Sequence, residues 1–335
     1  MKKVFTRVLG LFCAASFVFL VACSNTASNS SETPESIRIG FFPNITHAQA
    51  LYGQANGSFE EAFAEVDLEW LQFNAGPSEI EAMFAGEVDM GYIGPTPAIN
   101  ANIKSNGDVL VIAGASDGGS ILVTRPDLVL DSPKELDGLK LAVPQLGNTQ
   151  HVLLLGILKE YGLQTTDKGG KVELVASENA DTKALLDRGE VDAALLPEPW
   201  GARMVNEVHA NILLDEKEIW RDGNYPVALV IVNKDFMEAH PDLVQTFLKT
   251  HLAVTEEINA DPDAAQTAIN KKLLELTNAQ LDESVMSDAF SRVDITSNIT
   301  EESVDAFAEM MESAGLVGNG SADKVFVDTS VLENL

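Results

Sequence analysis

The tetrapeptide Gly86-Glu87-Val88-Asp89 occurs a second time in the chain, as Gly189-Glu190-Val191-Asp192. Each copy follows an amphipathic helical pattern and precedes a run of strand-forming residues. The glycine stands where the helix ends, a position that favours a left-handed residue. A proline-marked turn follows each strand, at Gly94–Pro97 and at Pro197–Trp200. The repeated order of helix, glycine, strand and proline turn predicts two similar α/β units.

Short strand-like runs alternate with helical runs over most of the chain, which predicts an α/β fold with parallel sheets. We expect two lobes, with lobe 1 formed by residues 36–123 and 230–335 and lobe 2 by residues 124–229. Two strands, near Ile121–Arg125 and Val227–Val232, are expected to cross between the lobes and to permit hinge closure. Because open parallel sheets bind ligands at the carboxyl ends of their strands, the crevice between the lobes is the predicted site.

The composition argues against several classes of protein. The 335 residues include 22 Lys and Arg against 51 Asp and Glu, a formal charge of −29, whereas nucleic-acid binders need clustered basic residues. Both cysteines, Cys13 and Cys23, lie near the start of the chain. The rest of the chain therefore has no thiol for a disulfide, a thiolate metal site or a cysteine nucleophile. We expect no cofactor, and no metal because the histidines show no ligand spacing.

The N-terminal segment predicts export. Met1–Lys3 is basic and Val8–Ala22 has no charged residue, a pattern typical of a signal peptide over residues 1–22. The run Leu20–Cys23 resembles the bacterial lipobox, in which the cysteine is acylated. An unmodified cysteine after a plain signal peptide, or an anchor helix, is the alternative. Residues 23–35 are then the lipidated cysteine and a flexible tether that holds the protein on a lipid bilayer, facing outward.

The loops that leave the predicted strands supply the candidate ligand-binding residues. They are rich in Gly, Asn, Ser and Thr at helix starts, where backbone N–H groups and hydroxyls suit a small anion. They contain no obvious lysine or arginine, so main-chain dipoles would hold the anion. Glu198 either meets a ligand amine or holds a neighbouring side chain, and Trp200 is either a lid or a core residue. The candidates are Asn44, Thr46, His47, Gly76, Pro77, Gly94, Thr96, Gly119, Ser120, Gly147, Asn148, Thr149, Gln150, Glu198 and Trp200.

Several short motifs carry a family resemblance. They are Arg38–Gly40 with Phe42–Asn44, Phe73–Pro77, Gly86–Gly91 with Gly94, Gly147–Thr149, and Gly189–Asp192 with Pro197–Trp200. In these motifs, from about residue 36 to 325, the chain resembles the bacterial substrate-binding proteins of aliphatic sulfonate, nitrate and taurine uptake systems. The resemblance implies a type II periplasmic-binding-protein fold that delivers a ligand to an ABC importer, with the permease and its ATPase as partners. In the taurine branch, an acidic residue at the position similar to Glu198 meets the ligand amine.

On these grounds we expect a lipid-anchored, extracytoplasmic receptor that captures a small sulfonate-like anion and performs no chemical step. The alternatives are a receptor for another small solute (taurine, nitrate, bicarbonate or a pyrimidine precursor of thiamine) and a receptor with a sensory role. An enzyme of the same fold is a remote alternative. Such relatives need a cysteine nucleophile or a cysteine/histidine motif, and the chain has no cysteine after Cys23.

Overall fold

Two β-sheets organise the protein in this computed structural model, which describes residues 34–321 and 326–335. Six strands form one sheet and five strands form the other. The strands are β1 (Ser36–Phe41), β2 (Asp67–Gln72), β3 (Met90–Ile93), β4 (Val109–Gly118), β5 (Ser120–Thr124), β6 (Lys140–Val143), β7 (Glu173–Ala176), β8 (Ala193–Pro197), β9 (Asn211–Leu214), β10 (Pro226–Asn233) and β11 (Val293–Ile295).

Helices connect most of these strands, and a helical region follows β10. The helices are α1 (Ala48–Asn56), α2 (Ser58–Ala62), α3 (Gly76–Phe84), α4 (Pro95–Ser105), α5 (Thr149–Glu160), α6 (Asn179–Asp187), α7 (Trp200–Val208), α8 (Glu216–Ile219), α9 (Lys234–Ala239), α10 (Pro241–Ala260), α11 (Pro262–Thr277), α12 (Glu283–Phe290), α13 (Glu301–Ser313) and α14 (Ser330–Glu333). The predicted alternation of strand and helix is therefore confirmed.

Each of the two sheets has a core of three parallel strands. The first sheet has the order β11-β4-β10-β3-β1-β2, in which β1 is parallel to β2 and β3. The second has the order β7-β6-β8-β5-β9, in which β6 is parallel to β7 and β8. Antiparallel strands extend each core, namely β10, β4 and β11 in the first sheet and β5 and β9 in the second. The two halves of the chain thus repeat one arrangement, as the tetrapeptide predicts.

The glycine of each tetrapeptide lies just after the end of a helix. Gly86 follows the last turn of α3 with a φ of 73°, and Gly189 follows α6 with a φ of 68°. The N–H of the next residue, a glutamate in both copies, donates to a helix carbonyl at 2.9 Å in the first copy and 2.8 Å in the second. This is the geometry in which a left-handed glycine satisfies the last carbonyls of a helix.

The aspartate of each copy ties the third strand of the parallel core to the first. The backbone N–H of Arg38 donates to Asp89 at 2.9 Å, and the backbone N–H of Lys140 donates to Asp192 at 2.9 Å. An arginine side chain also pairs with each carboxylate, Arg38 with Asp89 and Arg125 with Asp192. The repeat in sequence is therefore a repeat in structure, because the aspartate accepts the same backbone hydrogen bond from the first strand of each parallel core.

The chain passes from the first sheet to the second at Gly118 and Gly119, between β4 and β5. Both glycines have positive φ, 70° and 68°. A Cβ at Gly118 would lie 2.9 Å from the carbonyl oxygen of Arg292, and one at Gly119 would lie 2.7 Å from Val293 Cγ2. Only glycine therefore fits this passage. The return passage runs through residues 215–225, between β9 and β10.

The predicted lobe boundaries fall inside strands. Strand β5 belongs wholly to the five-stranded sheet and β10 wholly to the six-stranded sheet, so the chain crosses in the adjoining loops and not within these strands. A strand that is hydrogen-bonded along its whole length to one sheet cannot also span to another. We therefore propose a first lobe of residues 36–118, 226–321 and 326–335, and a second lobe of residues 120–225.

Apolar packing joins the two lobes through helix α13. One cluster of buried side chains contains Ile93 of the first lobe, Leu141 of the second lobe and Phe307 of α13. Trp220, on the return passage, lies edge-on against Phe307 with ring centroids 4.8 Å apart. The lobes therefore share part of their hydrophobic core in addition to the two crossings.

The predicted signal peptide (1–22), Cys23 and nearly all of the tether lie outside the described residues, and the predictions made for them stay predictions. In the part of the chain that the structure describes, none of the helices is both long enough and apolar enough to cross a membrane. The described protein is the two-lobed body alone.

Candidate functional site

A narrow cavity lies between the lobes, at the carboxyl ends of their parallel strands. Its volume is about 30 Å³, room for about two water molecules. Most of its walls come from the loops that follow β1, β2, β3 and β6 and from the first residues of the helices after them. The wall residues are Phe42, Asn44, Thr46, His47, Asn74, Ala75, Gly76, Gly94, Pro97 and Val227 of the first lobe and Pro144, Asn148, Thr149, Gln150, Asn179 and Pro197 of the second.

Four helices begin at or beside this wall, two from each lobe. Helix α3 begins at Gly76, α4 at Pro95, α5 at Thr149 and α6 at Asn179. In α3, α4 and α6 no N-cap side chain accepts a hydrogen bond from the first turn. The first turn of a helix carries unpaired N–H groups and the positive end of the helix dipole, and both attract anions. Because four helix starts lie around one small cavity, the arrangement attracts a negatively charged group.

The polar side chains at the start of α5 are largely bonded to protein groups. Asn148 Oδ1 accepts from the N–H of His151 at 2.9 Å, and Asn148 Nδ2 donates to Gln150 Oε1 at 3.1 Å. Gln150 Nε2 in turn donates to Ser120 Oγ at 3.0 Å. The Thr149 hydroxyl is buried and has no partner among the described residues. Helix α5 therefore offers a ligand its backbone N–H groups and this hydroxyl.

Asn44 is held in one orientation by Trp200 of the second lobe. The indole Nε1–H donates to Asn44 Oδ1 at 3.2 Å. Since an indole N–H can only donate, the amide oxygen faces Trp200 and the amide NH₂ is left for the cavity. A backbone contact lies beside this one, in which the N–H of Ile45 donates to the carbonyl of Glu198 at 3.2 Å. Contact between the lobes thus fixes the direction of a donor on the wall.

His47 supplies a neutral donor. The side chain is buried, and burial lowers its pKa to about 3. The backbone N–H of Phe42 donates to His47 Nδ1 at 3.3 Å, so the proton of the neutral ring lies on Nε2. The Phe42 ring packs on the imidazole with centroids 4.4 Å apart and holds it in place. The wall therefore carries an imidazole N–H that stays uncharged near neutral pH.

Gly94 permits a close approach of the two lobes. A Cβ at this position would collide with the hydroxyl oxygen of Thr149 in the second lobe. A side chain at Gly94 would therefore push apart the ends of α4 and α5 at the cavity. The close contact between the lobes at the cavity therefore requires a residue without a side chain at position 94.

None of the wall residues carries a formal charge. Glu198 lies behind the wall, where it is fully buried, with Oε1 accepting from Arg292 Nη1 at 3.1 Å and Oε2 from the N–H of Ala202 at 2.8 Å. Burial raises the pKa of Glu198 to about 7, against the opposing effect of these two donors. Arg292 Nε also donates to Asp215 at 2.8 Å. Glu198 thus holds a neighbouring side chain, the second of its two predicted roles.

Within residues 34–321 and 326–335, no group of three or more His, Cys, Asp or Glu side chains is placed to hold a metal ion. The groups that face the cavity are amides, hydroxyls, an imidazole and backbone N–H groups. Such groups bind an anion by hydrogen bonds.

A family model described as NMT1-like matches residues 30–272, which is more than half of the chain. This chain belongs to the NMT1-like family. The match includes both copies of the tetrapeptide and every loop on the cavity wall.

Curated relatives agree with this membership. The taurine-binding periplasmic protein of Escherichia coli (strain K12) is 31% identical over 216 residues, which are 64% of this chain and 64% of the relative. A Bacillus subtilis (strain 168) protein, provisionally named for binding aliphatic sulfonates, is 29% identical over 247 residues, 72% of this chain and 71% of the relative. The NMT1-like chain thus matches 64% of the length of the taurine-binding relative and somewhat more of the second.

Solved structures show the fold. The alkanesulfonate-binding protein of Xanthomonas axonopodis pv. citri, bound to MOPS, superposes with a TM-score of 0.73 at 19% identity and covers 89% of this chain and 98% of its own. The periplasmic nitrate-binding protein of Synechocystis PCC 6803 gives a TM-score of 0.75 at 13% identity and covers 90% of this chain and 88% of its own. The predicted two-lobed α/β fold of periplasmic binding proteins is confirmed for this NMT1-like chain.

Eight of the predicted ligand residues lie on the wall of the NMT1-like cavity. They are Asn44, Thr46, His47, Gly76, Gly94, Asn148, Thr149 and Gln150. The others lie beside or behind it, because neighbouring residues of a turn or helix point in different directions. These are Pro77, Thr96, Gly119, Ser120, Gly147, Glu198 and Trp200. Ser120 and Trp200 act indirectly, through Gln150 and Asn44.

Eight wall residues were not among the candidates. They are Phe42, Asn74, Ala75, Pro97, Pro144, Asn179, Pro197 and Val227. Most adjoin a loop that the sequence does single out. Asn179 opens a helix after a predicted strand, which is the same signal that identifies Asn148 and Thr149. Val227 carries no such signal, since it lies in β10 and reaches the wall only through the fold.

Proposed function

We propose that this chain is the solute-binding component of an ABC importer and that it captures a small sulfonate-like anion between its lobes. The observation that carries the proposal is a cavity with uncharged walls at which four helices begin. Such a site stabilises a fully ionised group through N–H dipoles and needs no counter-ion. Relatives named for taurine and for aliphatic sulfonates support the same ligand class.

The donors on the wall are numerous enough for tight binding. A hydrogen bond to a charged group contributes about 1.5–3 kcal/mol, and a micromolar Kd corresponds to about −8 kcal/mol. The Asn44 amide, the His47 Nε2–H, the Thr149 hydroxyl and the helix-end N–H groups together reach this value. No covalent step is needed, which favours a binding protein over an enzyme.

An alkyl sulfonate suits the cavity better than an amine-bearing one. Glu198 is already bonded to Arg292 and Ala202, and no carboxylate lines the wall, so an ammonium group would find no charged partner there. Nitrate and bicarbonate also accept hydrogen bonds from N–H groups. Nitrate and bicarbonate are therefore tested separately as ligands, as is a pyrimidine precursor of thiamine.

We propose an extracytoplasmic location, with an acylated Cys23 in the lipid bilayer and residues 24–35 as the tether. The taurine-binding relative is named as periplasmic, which supports the side of the membrane but not the anchor. The two lobes open and close about the crossings at Gly118–Gly119 and 215–225, and a permease with its ATPase receives the ligand on opening. Metabolic labelling with a radioactive fatty acid, compared between the wild type and Cys23→Ala, tests the anchor.

Ligand-dependent stabilisation tests the function. The full chain, purified in mild detergent, is heated with methanesulfonate, butanesulfonate, taurine, nitrate, bicarbonate, sulfate or an aminopyrimidine. An alkanesulfonate is expected to raise the melting temperature most, with a stabilisation of about 2.7 kcal/mol at 100 times Kd. A panel in which no anion shifts the transition contradicts the proposal. Recovery of a chemically altered sulfonate after incubation, read by NMR, would instead favour the enzyme alternative.

A further inference from the structure

A second large space lies between helix α5 of the second lobe and the end of helix α13 of the first, and we call it the α5–α13 groove. Its volume is about 670 Å³, within the range of small-molecule pockets. The groove and the interlobe cavity have no wall residue in common. The groove is therefore a separate space, and its chemistry is considered separately.

Part of the wall of the groove is apolar. Leu155, Leu174 and Met310 are partly buried there, and Leu316 is 40% exposed. A Cβ at Gly156 would lie 3.0 Å from Met310 Sδ, so the two helices that border the groove are in direct contact. Apolar side chains that stay partly open to solvent gain stability when an apolar group covers them.

His151 gives the groove a hydrogen-bond donor. The residue is 6% exposed, and burial lowers its pKa against the opposing effect of Asp167, so the ring is neutral near neutral pH. The N–H of Gly147 donates to His151 Nδ1 at 3.0 Å. The proton of the ring therefore lies on Nε2, which has no hydrogen-bond partner among the described residues. A buried N–H without a protein partner is left for an acceptor on a ligand.

Two lysines add positive charge to the groove. Lys159 and Lys168 are exposed on its wall, and neither forms an ion pair within the described residues. The carboxylates of the groove already have partners, since Asp167 accepts a hydrogen bond from a threonine hydroxyl and Glu312 likewise has a partner. Lys168 Nζ lies 4.0 Å from the position that a Cβ on Gly315 would take, so it reaches from the second lobe to the end of α13. Both ammonium groups are thus available to an anionic headgroup.

We propose that the α5–α13 groove is a second ligand site, which binds a carboxylate that carries an apolar chain or ring. The carboxylate accepts from His151 Nε2–H beside the two ammonium groups, and the apolar part covers the leucines and Met310. A charged acceptor suits these donors because it forms the stronger hydrogen bond. This site goes beyond the proposed function and does not depend on it, since the two spaces have separate walls.

Three probes of similar shape test the inference, namely phenylbutyrate, phenylbutanol and phenylbutylamine. NMR titrations observed on the probe measure each Kd with the full chain in mild detergent, and a titration of detergent alone is subtracted. Phenylbutyrate is expected to bind about tenfold more tightly than the alcohol, because its headgroup is charged, and the amine is expected to bind most weakly. Acetate, which lacks the apolar part, is expected to bind about tenfold or more weakly than phenylbutyrate.

Two variants locate the binding. Ser313→Trp fills the groove from an exposed position at the end of α13 and is expected to weaken phenylbutyrate and phenylbutanol about tenfold or more. Ser284→Trp places the same side chain on exposed α12, outside the groove, as the matched control. Lys168→Met removes one ammonium group and is expected to weaken phenylbutyrate about fivefold and phenylbutanol by less than about twofold. Lys249→Met, at an exposed position on α10, is its control.

Two kinds of result overturn the inference. One is the absence of phenylbutyrate binding, or equal affinity for the acid, the alcohol and the amine. The other is wild-type affinity for phenylbutyrate in both Ser313→Trp and Lys168→Met, which would place the probe outside the groove. Neither result affects the interlobe site, because that site is tested with sulfonates and with Gly94→Ala.

Discussion

Glu79 is the buried group with the clearest measurable consequence. It lies in the first turn of α3 and is fully buried, and neither carboxyl oxygen has a hydrogen-bond partner among the described residues. The carboxyl group packs against Gly40 and Gly91, where a Cβ on either strand would collide with it. Burial raises the pKa of Glu79 well above its ordinary 4.5.

The magnitude follows from proton linkage. The folded-state pKa lies above the unfolded value of 4.5, so the wild type must take up a proton to fold, and stability is lost as pH rises above 4.5. The loss is about 1.4 kcal/mol per pH unit until the folded pKa is reached. Glu79→Gln has no proton to take up and escapes this loss. The stability gap between variant and wild type therefore widens with pH at that slope.

Urea unfolding from about pH 5 to about pH 8 measures the gap. A difference in stability between the amide and the neutral carboxyl group is the same at every pH. Only the slope of the stability gap against pH therefore reports the ionisation of Glu79. Glu81→Gln, an exposed glutamate on the same helix, is the matched control and is expected to show no widening gap. A Glu79→Gln gap that stays constant with pH would show that the carboxyl group is ionised and solvated in the folded protein, and would refute this reasoning.

Three further substitutions test the site and its supports. Gly94→Ala is expected to weaken alkanesulfonate binding about tenfold or more by calorimetry, because the added methyl group holds the lobes apart at an overpacked contact. Trp200→Phe removes the N–H that orients Asn44 and is expected to weaken binding about fivefold, the value of one hydrogen bond. Arg292→Met leaves Glu198 buried without its cation and is expected to lower the free energy of unfolding by about 3 kcal/mol. Since the pKa of Glu198 is raised above its ordinary 4.5, to about 7, the carboxyl group is neutral in acid, so urea unfolding should show a larger loss at about pH 8 than at about pH 5.

Each of these has a control elsewhere on the chain. Gly318→Ala adds a methyl group in open space, Trp70→Phe removes an indole N–H bonded to a surface glutamate, and Arg221→Met breaks an ion pair with an exposed glutamate. All three controls are expected to bind ligand normally. Wild-type affinity in Gly94→Ala or Trp200→Phe, or an Arg292→Met loss no greater than that of Arg221→Met, would contradict the corresponding role.

Local signals account for the parts of the fold that the sequence predicts. The glycine and aspartate of the tetrapeptide act within their own helix end and neighbouring strand, so the pattern indicates both parallel cores. The short edge strands β9 and β11, of four and three residues, are too brief to show a periodicity. Strands β5 and β10 each lie wholly in one sheet, although the predicted lobe boundaries pass through them, because distant partners decide which sheet a strand joins. The sequence pattern of a strand does not indicate which sheet it joins.

The same distinction applies to the site. Helix starts rich in Gly, Asn and Thr are visible in sequence, and they predict half of the wall. The contact between Arg292 and Glu198 joins residues 94 positions apart, and nothing near either residue indicates the other. Trp200 is singled out by its motif, yet its role as the hydrogen-bond donor to Asn44 emerges only when the two lobes are placed together.

The cluster that joins Ile93, Leu141 and Phe307 has a thermodynamic consequence for the whole molecule. Melting of either lobe alone would leave Phe307 or Trp220, whichever stayed folded, without its partner and would expose apolar surface on the lobe that remained. The two halves are thus one cooperative unit in spite of their separate sheets. Differential scanning calorimetry should record a single endotherm, with equal calorimetric and van't Hoff enthalpies. A solute held between the halves should move that peak as a whole and not split it.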